Sequence, residues 1–257
     1  MRPPVVSVLM AAYRAERTID QAIQSVLAQR GLAFELLIGD DASPDGTWER
    51  ICRYLSDPRV RGWRFRTHQG CASVRNRLIA RAKGRFLSIC DADDLMLPGN
   101  LARLAAVLDR NPQVGVTYGR LKVIDERGRE LRKRFQFPGL SRRWDLLRNA
   151  ISHPGTMIRR SLLRSVGTYR VIYQVMSDYD LFLRLAEVAH VRPVSGLTLY
   201  AYRWHRHSLT RMASKELVDR TRRQVVAAAI ARRYGYQVSW AGVRGKAGGT
   251  AAHAVAQ

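Results

Sequence analysis

Arg85-Phe-Leu-Ser-Ile-Cys-Asp-Ala-Asp-Asp-Leu-Met-Leu-Pro98 decides how the chain is read. Phe86 to Cys90 is apolar on both strand faces apart from Ser88, the pattern of a strand buried inside a sheet. It runs directly into Asp91, Asp93 and Asp94. Carboxylates crowded at a strand end repel one another and lose hydration unless a cation offsets them. Oxygen ligands suit Mg²⁺ or Mn²⁺, and magnesium sites typically combine one or two carboxylates with substrate phosphates. The plainer alternative is an acidic strand-to-helix loop, with Pro98 opening the helix. The motif alone leaves both open.

The flanking sequence supplies the context. Val5 to Ala11 is another nearly continuous apolar run, followed by a helix with Thr18 and Gln21 spaced as a capping box. Ile19, Ala22, Ile23, Val26 and Leu27 fall on one face of that helix. Phe34 to Gly39 reads as a second strand that delivers Asp40 and Asp41. A Ser43-Pro-Asp-Gly46 turn and a short helix follow, with Asp45 shaping the turn. Arg61 to Thr67 reads as a third strand, and Ser73 to Ala82 as a helix closed by Gly84. Strands alternating with helices predict a doubly wound, mostly parallel α/β sheet with helices on both faces. Such sheets bind ligands beyond the carboxyl ends of their strands, where Ala11-Ala-Tyr13, Asp40-Asp41 and Asp91-Ala-Asp93 all fall.

Beyond Asn111-Pro112 the pattern changes. Longer strands are expected over 114–124 and 130–137, a helix near 144–150, a helix over 177–186, a strand over 191–204 and a basic amphipathic helix over 214–234. The organisation expected is a first half (1–112), a second half of the same domain (113–212), and a basic helix with a flexible tail (213–257).

The formal charge is +23, and only five of the 44 basic residues are lysine. Arginine favours bidentate phosphate recognition, so phosphorylated substrates, anionic lipid or nucleic acid are the partners to weigh. A coding bias that fills solvated faces with arginine is the alternative. Nucleic-acid binding is the second function class considered. Against it, no known nucleic-acid-binding signature appears in the chain, so no nucleic acid is expected. A nucleotidyltransferase would need a glycine-rich phosphate loop after the first strand, where this chain has Ala11-Ala-Tyr-Arg14. Cys52, Cys71 and Cys90 are too few and too scattered for a disulfide framework, and read as small buried residues in a reducing compartment. No stretch reaches the ~20 apolar residues of a membrane span, and no signal peptide opens the chain, so a cytoplasmic location is expected.

Together these pieces resemble a family 2 glycosyltransferase of the GT-A fold. The resemblance runs from Val5 to Thr210. It is carried by Val6-Ser-Val-Leu-Met-Ala-Ala-Tyr13, Phe34 to Ser43 with Asp45 and Thr47, Gly70 with Arg75-Asn76, and Ala82-Lys-Gly84. Cys90-Asp-Ala-Asp-Asp94, Ser177-Asp-Tyr-Asp-Leu-Phe-Leu-Arg-Leu185 and Tyr202-Arg-Trp-His205 complete it. The chain departs from the family pattern at Ala11 and Arg14, where proline and asparagine are usual. It departs again at His68, where asparagine is common, and at Ser177, where glutamate is frequent.

The resemblance implies transfer of a sugar, hexosyltransferase-like and with inversion, from a nucleotide-diphosphate-sugar (a UDP-sugar by preference) to an acceptor hydroxyl. Cell-envelope polysaccharide or glycolipid synthesis is the expected setting. It implies that Asp93 ligates a divalent cation, Mn²⁺ or Mg²⁺, and that Asp91 reaches the ribose or a metal-bound water. Asp41 would accept the base N3–H, Tyr13 would pack on the base, and Ala11, Ala92 and Arg75 would contribute to nucleotide-sugar binding. Arg75 could instead pair with Asp40 or Asp41. His205 falls where the family places a histidine near the diphosphate, with His207 competing for that role. Asp178 is the expected general base, the alternative being a helix cap, and Asp180 a capping or packing residue. Between Arg127 and Arg148, arginines interleave with Phe135, Phe137, Trp144 and Leu147. That pattern suits an anionic membrane surface and a lipid-linked or glycan acceptor, with the basic helix adding to the same face, the alternative being an ordinary solvated face with core aromatics.

Overall fold

The computed structural model describes residues 3–131, 153–206, 208 and 212–235. The first half alternates β1 (Val6–Ala12), α1 (Ile19–Leu27), β2 (Phe34–Asp40), α2 (Thr47–Cys52), β3 (Val60–Arg64), α3 (Cys71–Ile79) and β4 (Phe86–Ile89). These four strands pair in parallel in the order β3-β2-β1-β4, so their carboxyl ends share one edge. The second half supplies β5 (Leu95–Met96), α4 (Asn100–Arg110), β6 (Val114–Ile124), β7 (Glu130–Leu131), β8 (Thr156–Arg159), α5 (Leu163–Val166), α6 (Ser177–Val188), β9 (His190–Arg203) and α7 (Lys215–Tyr234). β8 runs antiparallel between β4 and β6, β9 lies parallel to β6, and β5 closes the far edge. The two halves thus share one continuous sheet.

Side-chain alternation along β1 shows why helices cover both faces. Val6, Val8 and Met10 pack with Ile19, Ala22, Ile23 and Val26 of α1 and Leu101, Leu104 and Leu108 of α4. Leu9 faces the other way with Leu37, Leu87 and Ile89, under Val74 and Leu78 of α3 and Leu181, Phe182 and Leu185 of α6. Each large aliphatic side chain buried there contributes about 1.5–3 kcal/mol. The apolar stripe of α7 (Val225, Val226 and Ala229) packs into this second layer, and Arg232 pairs with Glu187 of α6. That helix therefore spends its apolar face inside the protein, and only its basic face, with Arg220, Arg222 and Arg223 exposed, can meet a partner.

Several local expectations are corrected. Thr18 makes no side-chain cap; its hydroxyl bonds back to Ala15 O, while Gln21 accepts from Arg203. The helix after the acidic motif begins at Asn100, two residues past Pro98, because β5 and a left-handed Gly99 come between. Gly84 does not end α3, which stops at Ile79; a Cβ on Gly84 would lie 2.3 Å from Ser7 N, so its role is to let the chain press against β1. Cys52 is exposed and Cys71 half-buried, leaving Cys90 as the buried one. Strands β5 and β8 are short and were not visible in the sequence pattern. The strand expected over 130–137 is described only as Glu130–Leu131. Its remainder, the helix near 144–150, most of the arginine–aromatic segment and His207 lie outside the described residues.

Near β3, arginines from β3, from α3 and from just after α3 lie over the rings of Trp63 and Phe65. Arg61 and Arg81 each sit 5.1 Å from the Trp63 ring, and Arg77 sits 5.0 Å from Phe65. Elsewhere arginine binds main chain. Arg159 reaches the carbonyls of Leu108, Asn111 and Val114, and Arg184 those of Val166, Gly167 and Thr168.

Candidate active site

Because β1, β2 and β4 are parallel, the polar residues that follow them gather at one edge of the sheet. After β1, Tyr13 is 39% exposed and its ring lies 4.0 Å from that of His68. After β2, the Asp41 carboxylate accepts from Gln69 N–H at 2.9 Å and Gly70 N–H at 2.8 Å, and lies 2.9 Å from His68 Nδ1. Asp41 therefore clamps the loop before α3, and Tyr13, His68 and Asp41 form one cluster. Asp40 is buried beside Arg64, and burial raises its carboxyl above the usual value. Asp45 accepts from the hydroxyl and N–H of Thr47, and so shapes the turn. Ala11 is half-buried at the end of β1. Ala92 is 5% exposed and turned into the α1–α4 core, so its backbone alone is placed to meet a ligand.

The three acids after β4 have three different surroundings. Asp91 pairs with Arg75, 2.6 Å between Nη2 and Oδ1, and its N–H donates to Tyr200 Oη. Arg75 therefore pairs with Asp91, not with Asp40 or Asp41, which already have partners of their own. Asp94 is fully buried, with Oδ1 accepting from Arg203 N–H at 2.7 Å. Burial, then the neighbouring charges of Asp93 and Asp91, push its carboxyl well above the usual range. Asp93 is the most exposed of the three, its side chain 32% exposed against 24% for Asp91, with Oδ2 2.8 Å from His205 Nε2. Arg75 thus offsets Asp91, and burial disfavours charge on Asp94, which leaves Asp93 with a histidine as its partner.

What remains is a carboxylate and an imidazole side by side, a donor set that suits Mn²⁺ and fits Mg²⁺ through the carboxylate. No group of three or more His, Cys, Asp or Glu among the described residues could hold a metal ion. Two protein donors match a cation whose other ligands come from substrate phosphates.

Opposite these acids, α6 starts after Met176, which has a left-handed φ of 62°, and carries Asp178 in its first turn. Burial raises the Asp178 carboxyl above its usual value; the Arg75 charge and the first-turn amides of Asp178 and Tyr179 oppose this. Asp91 also feels the Asp178 charge, which puts both acids within electrostatic reach of Arg75. Asp180 points elsewhere: it is fully buried and bound to Arg184 at 2.8 Å, with Arg170 at 3.4 Å. The packing role expected of Asp180 is what its contacts describe.

Sequence reasoning missed the groups beneath Arg75. Its guanidinium lies 5.8 Å from the Tyr169 ring, whose hydroxyl is 2.8 Å from His153 Nε2. Burial, aided by Arg75, pushes His153 well below the usual histidine range, so the ring is neutral. Arg203 was missed too, although its spacing from His205 in Tyr202-Arg-Trp-His205 places both on one side of the extended chain.

The profile of glycosyl transferase family 2 matches residues 7–167, covering β1 to α5 and the whole acidic edge. The chain belongs to glycosyltransferase family 2. It is 31% identical over 191 residues to EpsE of Bacillus subtilis (strain 168), a glycosyltransferase by name, covering 72% of this chain and 67% of EpsE. It is 27% identical over 214 residues to the UDP-Glc:alpha-D-GlcNAc-diphosphoundecaprenol beta-1,3-glucosyltransferase WfgD of Escherichia coli, covering 83% and 82%. Residues 1–349 of S. aureus TarS share the fold, with a TM-score of 0.70 at 20% identity over 88% of this chain and 65% of that one. That fragment has also been solved with UDP-GlcNAc. The chain therefore spans about two thirds of the length of EpsE and of the TarS fragment. The GT-A architecture expected of a family 2 member is the one observed.

The Arg75–Asp91 pair is an ionic contact set into the acidic edge of the site, with an arginine side chain 9% exposed. Removing one partner of such a pair leaves an uncompensated charge. Arg75→Met should therefore lower unfolding stability by about 3 kcal/mol in urea titration, at the lower end because Asp91 keeps some solvent contact. Adding Asp91→Asn should recover part of that loss. An unchanged urea midpoint for Arg75→Met would show that the pair contributes nothing to the fold.

Proposed function

We propose that the chain transfers a sugar from a UDP-sugar to an acceptor hydroxyl with inversion at the anomeric carbon, in the assembly of a surface polysaccharide or its lipid-linked precursor. The observation that carries this reading is that Asp178, from the second half of the chain, lies within electrostatic reach of the Arg75–Asp91 pair at the sheet edge, where Asp93 pairs with His205. UDP-GlcNAc in the TarS complex and the UDP-Glc donor in the name of WfgD support the donor class. The diphosphoundecaprenol-linked sugar in the same WfgD name supports a lipid-linked acceptor.

Asp178 is the general base. Its carboxylate takes the proton of the acceptor hydroxyl as that oxygen bonds to the anomeric carbon and the bond from that carbon to the diphosphate oxygen breaks. Asp93 and His205 would hold a divalent cation, Mn²⁺ or Mg²⁺, which when bound stabilises negative charge on the departing diphosphate. Arg75 and Asp91 orient the donor between these groups, and Tyr13 with Asp41 receives the base.

Asp178 must be ionised to act, and burial makes ionisation harder. The acid limb of kcat/KM should therefore lie above the usual aspartate range near 3.8. The sign for stability follows: a carboxyl whose folded pKa is raised favours the fold when protonated, and this support fades as pH rises through that pKa. At neutral pH Asp178→Asn should thus hold or raise Tm while reducing transfer by on the order of 10²–10⁴-fold. A variant that keeps parental turnover but melts lower would show Asp178 to be a structural residue of α6.

With Asp93 and His205 as its protein donors, Mn²⁺ should bind weakly alone and much more tightly once UDP supplies its diphosphate. Electron paramagnetic resonance of free Mn²⁺, with and without UDP, measures this directly. Asp93→Ala should abolish the UDP-dependent uptake, and full turnover of UDP-sugars in excess EDTA would refute the cation assignment.

We also infer contact with an anionic membrane, supported by the charge of +23 and by the basic outward face of α7. Among the described residues no helix is long and apolar enough to cross a membrane. Each basic residue near an anionic surface contributes about 1 kcal/mol. Co-sedimentation with phosphatidylglycerol vesicles should be strong and fall steeply as salt is raised. Equal recovery with neutral phosphatidylcholine vesicles would remove the membrane claim and leave the enzyme reading intact.

A further inference from the structure

Arg203 is 1% exposed and the largest of the fully buried side chains. Its guanidinium makes four hydrogen bonds, all to carbonyl or amide oxygens from three separate parts of the chain. Nε donates to Asp93 O at 2.6 Å, Nη1 to Glu126 O at 3.0 Å and Asp125 O at 3.2 Å, and Nη2 to Gln21 Oε1 at 2.8 Å. Its own N–H donates to Asp94 Oδ1. Two residues on, His205 Nε2 meets Asp93 Oδ2. The end of β9 therefore grips the acidic loop at the main chain of Asp93, the side chain of Asp93 and the side chain of Asp94. A buried cation is costly to place, and a planar fork with five donors is the side chain that can satisfy several fixed carbonyls at once. Lysine, with one compact ammonium on a flexible stem, cannot reproduce that pattern.

We propose that Arg203 is a positioning residue for the cation site. It fixes the Asp93 main chain at the height where its carboxylate faces His205, and ties that loop to the 125–126 turn. The proposal rests on the assignment of Asp93 and His205 to a cation. A merely structural arginine would support the fold without altering metal affinity. Arg159 provides that comparison, since it also binds carbonyl oxygens but pairs with Phe86, at the end of β4 remote from Asp91.

The test is Mn²⁺ binding at saturating UDP, read by electron paramagnetic resonance and by calorimetry, on the full chain. Arg203→Lys should weaken Mn²⁺ by about 10–100-fold, the usual cost of losing a group that orients a metal ligand, while UDP affinity in EDTA stays at the parental value. Arg159→Lys should lower Tm and leave Mn²⁺ affinity unchanged. Gln21→Ala, which removes one bond from an exposed partner, should weaken Mn²⁺ measurably and decides the matter if Arg203→Lys does not fold. Parental Mn²⁺ affinity in folded Arg203→Lys would overturn the proposal, as would equal weakening in Arg159→Lys. With Arg203→Lys unfolded, parental affinity in Gln21→Ala does the same. A parental protein that takes up no Mn²⁺ with UDP refutes the cation assignment itself, before any variant is compared.

Discussion

Negative charge concentrated at the end of β4 is the constraint around which the rest is arranged. Asp91, Asp93 and Asp94 occupy four consecutive positions with one alanine between them, at the mouth of a sheet whose interior is apolar. Carboxylates so close cannot all ionise without help. The fold provides it from two directions, with Arg75 rising from α3 and the end of β9 folding over the loop. Asp93 is left the most exposed of the three. Discrimination among three adjacent carboxylates is thus achieved by burial and pairing, although all three share one side-chain chemistry.

Much of this was legible in the sequence. Apolar runs marked β1, β2 and β4 because strands buried on both faces need them, and the periodicity of Ile19 to Val26 marked α1 because a helix on a sheet needs one apolar stripe. The convergence of Tyr13, Asp41 and Asp91 followed from parallel strands sharing a carboxyl edge. The neutralisation of the acids was not legible, since Arg75 lies 16 residues from Asp91 and Arg203 lies 110 from Asp93. Strands β5 and β8 were missed for a related reason. They run only two and four residues, and their pairing with β9, β4 and β6 is set by tertiary contact, without a periodicity of their own. The capping box at Thr18 failed because Gln21 has a stronger partner in a buried guanidinium.

The arginine excess also looks different once the contacts are known. Arg159, Arg184 and Arg203 each bind several main-chain carbonyls, and Arg75 and Arg184 answer buried carboxylates. Such positions need a planar fork and are poorly served by lysine. Part of the +23 charge is accordingly internal joinery, and a count of basic residues overstates the charge available to any partner.

The arginines over Trp63 and Phe65 have a different consequence. Among the described residues β3 is the outermost strand of its side of the sheet, and an outermost strand offers unpaired main-chain groups that another chain could extend. Guanidinium groups spread across its aromatic rings keep that border hydrated and mutually repellent between molecules. Two such borders brought together would place like charges face to face, which opposes edge-to-edge pairing of strands.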